Sequence, residues 1–303
     1  MLRHLTALTV VLLPLAACGG SPAIAAPAVT KDRAAQLLAH YQSVNNRANG
    51  TSDEKLLATV ETGAQLDMDR AEYRRRAAAG EKYAPFAYTG PAYYIPRQTG
   101  FPKWFAVTAA TGKMRHALVF AQERPGGPWL LTADPFPIAT ISGIALDKDG
   151  YATAVAPDDT KTAPAPGKVA AVHAANLSRG TSGIAPGPYT TQAHDALVKA
   201  ESALKRRGVR LTSDFRPDRQ QAFALRTTDG GALVWYVVRQ SETYELAKPG
   251  VIGSGGDLAG LIDGKVRHHL ATTALTQYLA VVPPQGAARV VGSYRKAIQA
   301  AAS

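Results

Sequence analysis

One cysteine, Cys18, is all the chain of 303 residues contains, so no disulfide can form within it. Any fold must be held by apolar cores alone, and thiolate metal sites with several cysteines are excluded. Long apolar runs are missing too. The most apolar stretch, Leu5 to Leu15, is eleven residues interrupted by Thr6, Thr9 and Pro14. As a helix it would rise ~16 Å, against a hydrocarbon core of ~30 Å, so it is too short to span a bilayer. Charge is not blocked either. Lys and Arg exceed Asp and Glu by 34 to 23, a formal charge of +11, yet only short basic runs occur, at Arg74-Arg75-Arg76 and Lys205-Arg206-Arg207. The grouped basic and aromatic surface of a nucleic-acid binder is absent, and attraction to anionic lipid or wall polymer is the simpler meaning of the surplus.

Catalytic patterns are equally sparse. Gly180-Thr181-Ser182-Gly183 and Gly253-Ser254-Gly255-Gly256 miss the spacing of a nucleophile elbow. His268 and His269 are adjacent, so on a strand they point to opposite faces and share no ion. Asp147-Lys148-Asp149-Gly150 lacks the third acidic ligand of a calcium loop and is a turn. Pro249 to Gly260 is rich in glycine without the Gly-Lys-Ser/Thr of a phosphate loop. No catalytic residue, metal or cofactor is assigned.

What is present begins at the N-terminus. Arg3 and His4 make a positive start, Leu5 to Leu15 an export-signal core, and small residues follow. Leu15-Ala16-Ala17-Cys18 resembles the bacterial lipobox, which implies diacylglyceryl transfer to the Cys18 sulfur and cleavage before it, with palmitate-type acyl chains as the anchor. The division expected is a lipoprotein signal peptide at 1–17 and a lipid-anchored flexible tether at 18–29. The other option is a secretory signal cut near Ala23 to Ala26, leaving a free protein. The location expected is the outer face of the cytoplasmic membrane, at the cell surface.

In the mature chain, Ala34, Leu37, Leu38, Tyr41 and Val44 recur at helical spacing. Thr51-Ser52-Asp53-Glu54 has the form of a capping box before Leu56, with Gly63 as a stop. A third helix runs from Ala64 to Ala79, acidic early, basic late, stopped by Gly80. Aromatic and β-branched segments follow at 88–95, 103–109, 115–123, 128–133 and 138–146, the last turning at Asp147–Gly150 into 151–155. The prolines of 156–167 mark a linker. Helices at 168–177 and 191–207 then precede strands at 209–214, 220–227, 232–246 and 269–282, while 288–300 suits strand or helix equally. The fold class expected is α+β, with two domains at 30–155 and 168–303. Each puts N-terminal helices on a curved antiparallel sheet, and the two look like one plan used in tandem.

Tyr41-Gln42-Ser43-Val44-Asn45-Asn46-Arg47-Ala48-Asn49, followed by Lys55-Leu56-Leu57-Ala58-Thr59-Val60-Glu61-Thr62-Gly63-Ala64-Gln65-Leu66-Asp67, resembles a family of actinobacterial lipoproteins whose domain has no assigned function. By layout, helices leading into a curved sheet are also similar to the nuclear-transport-factor-2-like (cystatin-like) fold. That likeness implies a cone-shaped sheet wrapped on a helix, often around an apolar pocket. Such a pocket would need a carboxylate and a phenol, here Asp67 or Glu61 with Tyr41, Tyr93 or Tyr94, for isomerase- or dehydratase-type chemistry. Tyr93, Tyr94, Trp104, Phe105, Phe120 and Trp129 belong to the first domain's strands. They are core, or a ligand or partner surface if several line one concave face, in which case Tyr93, Tyr94, Trp104, Phe105 and Trp129 are its candidates. The function expected is a non-catalytic binding or interaction lipoprotein, held to the membrane through Cys18 and facing an envelope protein or wall polymer. The alternatives are the small-pocket enzyme and the solute-binding lipoprotein of a transporter.

Overall fold

The structure is a computed structural model that describes residues 25–303 except 140, 142, 252–255 and 263–264. The export signal, Cys18 and most of the tether lie outside the described residues.

Three helices come first. In α1 (Lys31–Thr51) the Thr30 hydroxyl caps the Arg33 amide, and Ala34, Leu37, Leu38, Tyr41, Val44, Asn45 and Ala48 are buried along one stripe. Ser52 ends it in the left-handed region, and the real cap of α2 (Glu54–Leu57) is Asp53, whose carboxylate takes the Lys55 and Leu56 amides. Thr51 and Ser52 thus close one helix instead of opening the next. Gly63, expected as a stop, opens α3 (Gly63–Ala79) at φ +58, and Gly80 closes it at φ +65.

Four strands, β1 (Thr89–Tyr94), β2 (Lys103–Thr111), β3 (Met114–Gln122) and β4 (Leu130–Ala133), form an antiparallel meander in that order. The chain then leaves this sheet. β5 (Phe136–Pro137) pairs with the far end of the chain, and the strand expected over 138–146 is replaced by single bridges, Ile144 to Thr227 and Leu146 to Ala152, around the Asp147–Tyr151 turn. Helices α4 (Val169–Arg179) and α5 (Thr191–Arg206) follow. After them come β6 (Val209–Pro217), β7 (Phe223–Arg226), β8 (Ala232–Leu246), the short pair β9 (Gly250–Val251) and β10 (Lys265–Val266), then β11 (His269–Val282) and β12 (Arg289–Ala302). The second sheet has the order β5-β12-β11-β8-β6, with β7 also on β8. The 288–300 segment is a strand because β11 offers it a long antiparallel partner, from Leu270 opposite Ala302 to Val281 opposite Arg289.

Side-chain alternation sets the layers. On the first sheet Phe105, Val107, Leu118 and Phe120 face α1 and bury Leu37, Leu38, Tyr41 and Val44. The opposite face, Trp104, Ala106, Val119 and Ala121, packs on Phe223, Leu225, Leu233, Trp235 and Leu279 of the second sheet. That sheet's other face, Val234, Tyr236, Val238, Ala280 and Val282, covers Val169, Ala174 and Leu177 of α4. α3 completes the inner side, setting Ala64 and Met68 against Val237 and Leu275. Each large buried aliphatic or aromatic side chain here contributes ~1.5–3 kcal/mol. The Trp235 indole N–H crosses between the sheets to the Ala117 carbonyl at 2.8 Å.

Two sheet regions with flanking helices are therefore present, but the expected shape is corrected. Neither sheet curves around its helices or closes; both have open strand orders. A cone wrapped on a helix needs one covered and one free face, whereas the two sheets cover each other and are backed by helices outside. The tandem plan fails as well: a meander of four sequential strands does not match a six-stranded order in which β5 and β12 are neighbours.

Candidate functional site

Segment 60–62 docks beside β4, with Leu131 N–H donating to the Val60 carbonyl at 2.8 Å and Thr62 N–H to the Leu131 carbonyl at 3.0 Å. This carries Glu61 under α1, where it is 1% exposed. Its Oε1 accepts from the Tyr41 hydroxyl at 2.9 Å and the Asn45 amide at 2.8 Å, and Asn49 donates in turn to Asn45. Tyr41, Asn45 and Asn49 are one turn apart each, so they form a polar stripe on α1. Among the described residues no donor reaches Glu61 Oε2, and the carboxyl instead shares a hydrogen bond with the Asp69 carboxyl. Burial, reinforced by the charge of Asp69, pushes the Glu61 carboxyl well above the usual carboxylate range, while the Tyr41 and Asn45 donors pull the other way. Burial likewise lifts Asp69 to about 6. Both carboxyls thus hold their protons more tightly than solvated ones do.

Polar side chains continue beyond this pair. Gln277 donates to Gln65 at 3.1 Å and accepts the Asp134 amide at 2.7 Å. Asp134 contacts His116 Nδ1 at 2.7 Å, and His116 Nε2 meets the Thr111 hydroxyl at 2.7 Å. Tyr88 and Phe136 hold the imidazole edge-on at 5.2 and 5.1 Å. Carboxylate, imidazole and hydroxyl have the connectivity of a nucleophilic relay. The adjoining cavity of 290 Å³ is nevertheless lined by His116, Arg115, Ala109 and Ile141, not by Thr111. The arrangement is that of a hydrogen-bonded core lock.

Sequence-selected residues separate into distinct places. Glu61 and Tyr41 meet; Asp67 is exposed at a polar cleft of 930 Å³ shared with Thr132, Asp218, Arg219, Gln220 and Arg239. Tyr93, Phe105 and Trp129 belong to the face under α1, whereas Tyr94 and Trp104 belong to the face against the second sheet. The five aromatics therefore share no single concave surface. Among the described residues neither Glu61 nor Tyr41 lines the cavities of 650, 930, 290 and 680 Å³, no group of three or more His, Cys, Asp or Glu side chains could hold a metal, and no helix is long and apolar enough to cross a membrane.

The surface with the most distinctive chemistry is one that no short motif marks. α5 is amphipathic, yet none of its residues is fully buried, and Val198 is 45% exposed. It lies over β6 so that a groove of 650 Å³ runs between Lys205 and Leu211, with Val209, Leu246 and Ala247 as apolar floor. A second hollow of 680 Å³ continues it past Leu204, Arg207, Tyr244 and Lys248. Lys205, Arg207, Arg210 and Lys248 stand exposed on its rim; Arg210 pairs with Glu245, and Glu201 is the other acid of the groove. Lys205 and Arg206 also complement the negative end of α5, which accounts for part of the basic run.

The family described as "Domain of unknown function (DUF8094)" matches residues 25–302. An "Uncharacterized lipoprotein" of Streptomyces avermitilis is 28% identical over 270 residues, covering 86% of this chain and 81% of its own. Two proteins of Streptomyces coelicolor, also called uncharacterized lipoproteins, are each 28% identical, over 286 and 290 residues, covering 88% of this chain in both cases and 84% and 81% of their own lengths. No solved structure matches.

Proposed function

We propose a role on the premise that this chain belongs to the DUF8094 family, resembled already by its Tyr41–Asn49 and Lys55–Asp67 blocks: it is an exported lipoprotein, anchored through Cys18 on the outer face of the cytoplasmic membrane, that binds an anionic component of the cell envelope without catalysis. The lipoprotein part is supported by the Leu15-Ala16-Ala17-Cys18 string and by the names of the Streptomyces relatives. The binding part rests on one observation, the apolar-floored groove under α5 with Lys205, Arg207, Arg210 and Lys248 on its rim. A helix with an apolar stripe and no fully buried residue leaves apolar surface for a partner, and the cations select an anionic one.

Two experiments test the two parts. Cys18→Ala should release the protein from the membrane fraction; a variant still processed and retained there refutes the anchor. Full-length protein in detergent should sediment with isolated cell walls at low salt and be released by salt, since exposed charges are screened beyond ~10 Å at 0.1 M. Lys205→Glu with Arg207→Glu should abolish sedimentation, while Arg219→Glu, at the other cleft, should not. Equal sedimentation of both variants would sink the groove as the binding surface.

A further inference from the structure

The chain enters the fold along one tightly tied surface. Ala28 N–H donates to the Pro96 carbonyl at 2.9 Å, Gln98 N–H to the Ala26 carbonyl at 3.0 Å, and the Arg97 guanidinium to the Ala25 carbonyl at 3.3 Å. Arg97 also binds Asp147 and Asp149, each at 2.7 Å, and lies 4.8 Å over the Tyr151 ring. Entry segment, loop 96–103 and turn 146–151 are therefore one patch. Two large apolar side chains project from it: Phe101 is 41% exposed and Leu146 51% exposed. Cations stand beside them. Lys103 is 5.8 Å from the Phe101 ring, Lys148 is exposed next to Leu146, and Lys31 sits over Tyr151 at 5.2 Å. Of the acids nearby, Asp147 and Asp149 are already engaged by Arg97, leaving Asp32 on α1.

Chain length says what faces this patch. Seven residue steps separate Cys18 from Ala25, a reach of at most ~25 Å even when fully extended. A folded chain of this size has a radius of gyration of roughly 19 Å and is about 50 Å across. The tether is thus too short to let the body turn its entry side freely away from the surface that holds Cys18. Aromatic and aliphatic tips flanked by lysines are the chemistry that settles at the boundary between headgroups and acyl chains, most strongly on anionic lipid.

We propose that Phe101 and Leu146 form a second membrane contact, inserting into the lipid surface that carries Cys18 while Lys103 and Lys148 meet anionic headgroups. This rests on the lipid-anchor reading given above. The contact fixes which side of the molecule faces the bilayer. It turns a tethered body into an oriented one.

The test uses the full-length lipidated protein, in which lipid blocks the one natural thiol. Phe101→Cys, Leu146→Cys and, as a remote exposed control, Val198→Cys are labelled with an environment-sensitive nitrobenzoxadiazole. They are reconstituted into vesicles of phosphatidylglycerol and phosphatidylethanolamine. Emission at 101 and 146 should shift to the blue and be lost when a spin label is carried on the acyl chains near the headgroup. The probe at 198 should do neither. If all three probes report water while the proteins still float with the vesicles, the contact is refuted and the anchor stands. If the wild-type protein takes up the label at Cys18 or fails to float, the anchor reading fails and the contact falls with it.

Discussion

Replacing Asp69 by Asn should stabilise the fold at neutral pH and do little at pH 4. Burial raises the Asp69 carboxyl from 3.8 to about 6, helped by the charges of Asp134 and Glu72 and opposed by its contacts with Glu61 and Gln65. The folded state therefore holds this proton more tightly than the unfolded chain. Its contribution is fully present below pH ~3.8 and is lost as pH rises through about 6. At ~1.36 kcal/mol per pH unit, the interval corresponds to about 3 kcal/mol. Asp69 is only partly buried by area, so water screens some of the penalty, and a gain of about 1–2 kcal/mol at pH 7.5 is the expectation. The wild-type curve alone would hide this. His173 is buried and lowered to about 4, held neutral by burial while Nε2 donates to the Tyr189 carbonyl at 2.7 Å. Its contribution has the opposite sign, complete above pH ~6.5 and lost as pH falls through about 4, so the two trends offset each other over the same window. The informative quantity is the difference between Asp69→Asn and wild type in urea unfolding followed by tryptophan fluorescence, from pH 4.5 to 7.5. It should open with rising pH. A difference that stays constant, or an Asn variant less stable at pH 7.5, would refute the reading of Asp69 as a buried carboxylate.

Tyr236→Phe removes the hydroxyl that meets His173 Nδ1 at 2.9 Å and leaves a buried ring nitrogen unpartnered, which should cost about 1–3 kcal/mol in urea unfolding. Leu279→Ala empties a fully buried position between the two sheets and should cost about 2–5 kcal/mol; a loss under about 1 kcal/mol would mean the sheets do not share that core. Gly231→Ala would drive its Cβ into the Val282 carbonyl oxygen, a backbone atom that cannot swing away, so a drop in thermal midpoint well beyond that of a surface Gly→Ala change is expected. A protease cut within 156–167 should leave both fragments in one peak on size-exclusion chromatography, because Trp104 and Val119 stay packed against Trp235 and Leu279.

Local patterns were legible wherever the decisive interaction is local. The stripe Ala34, Leu37, Leu38, Tyr41, Val44 predicts α1, and Gly80 predicts the end of α3, because a helix and its cap are settled within a few residues. The four strands of the first sheet read correctly for the same reason, with Gly112 and Gly126 in the turns that follow β2 and β3. Long-range pairing is where the reading fails. Ile138 is 59% exposed and begins no strand; Phe136 and Pro137 pair instead with Ser293 and Gly292, residues no local window contains. Glu61 looks like an ordinary polar helix position until segment 60–62 docks on β4 and takes it out of water. Its partners did leave a trace: Tyr41, Asn45 and Asn49 put polar groups at four-residue spacing along an otherwise apolar helix face, which asks for a buried acceptor. The groove under α5 left none beyond the basic run at 205–207, since a groove is made by the distance between a helix and a sheet.

The shape of the second sheet was nevertheless written in one stretch. A sheet that wraps a helix and shows its outer face to water alternates apolar with polar along each strand. Ala232-Leu233-Val234-Trp235-Tyr236-Val237-Val238 does not alternate: seven successive residues are apolar or aromatic, and all seven are buried. Such a run requires cover on both faces. Leu233 and Trp235 find it in the first sheet, Val237 in α3, and Val234, Tyr236 and Val238 in the core with α4. In a chain with one cysteine and no internal disulfide, this two-sided burial is what supplies cohesion between the two sheet regions. β8 is therefore the strand on which both regions depend, and a charge introduced at Trp235 should disrupt both together, whereas one at Val198, on exposed α5, should disrupt neither.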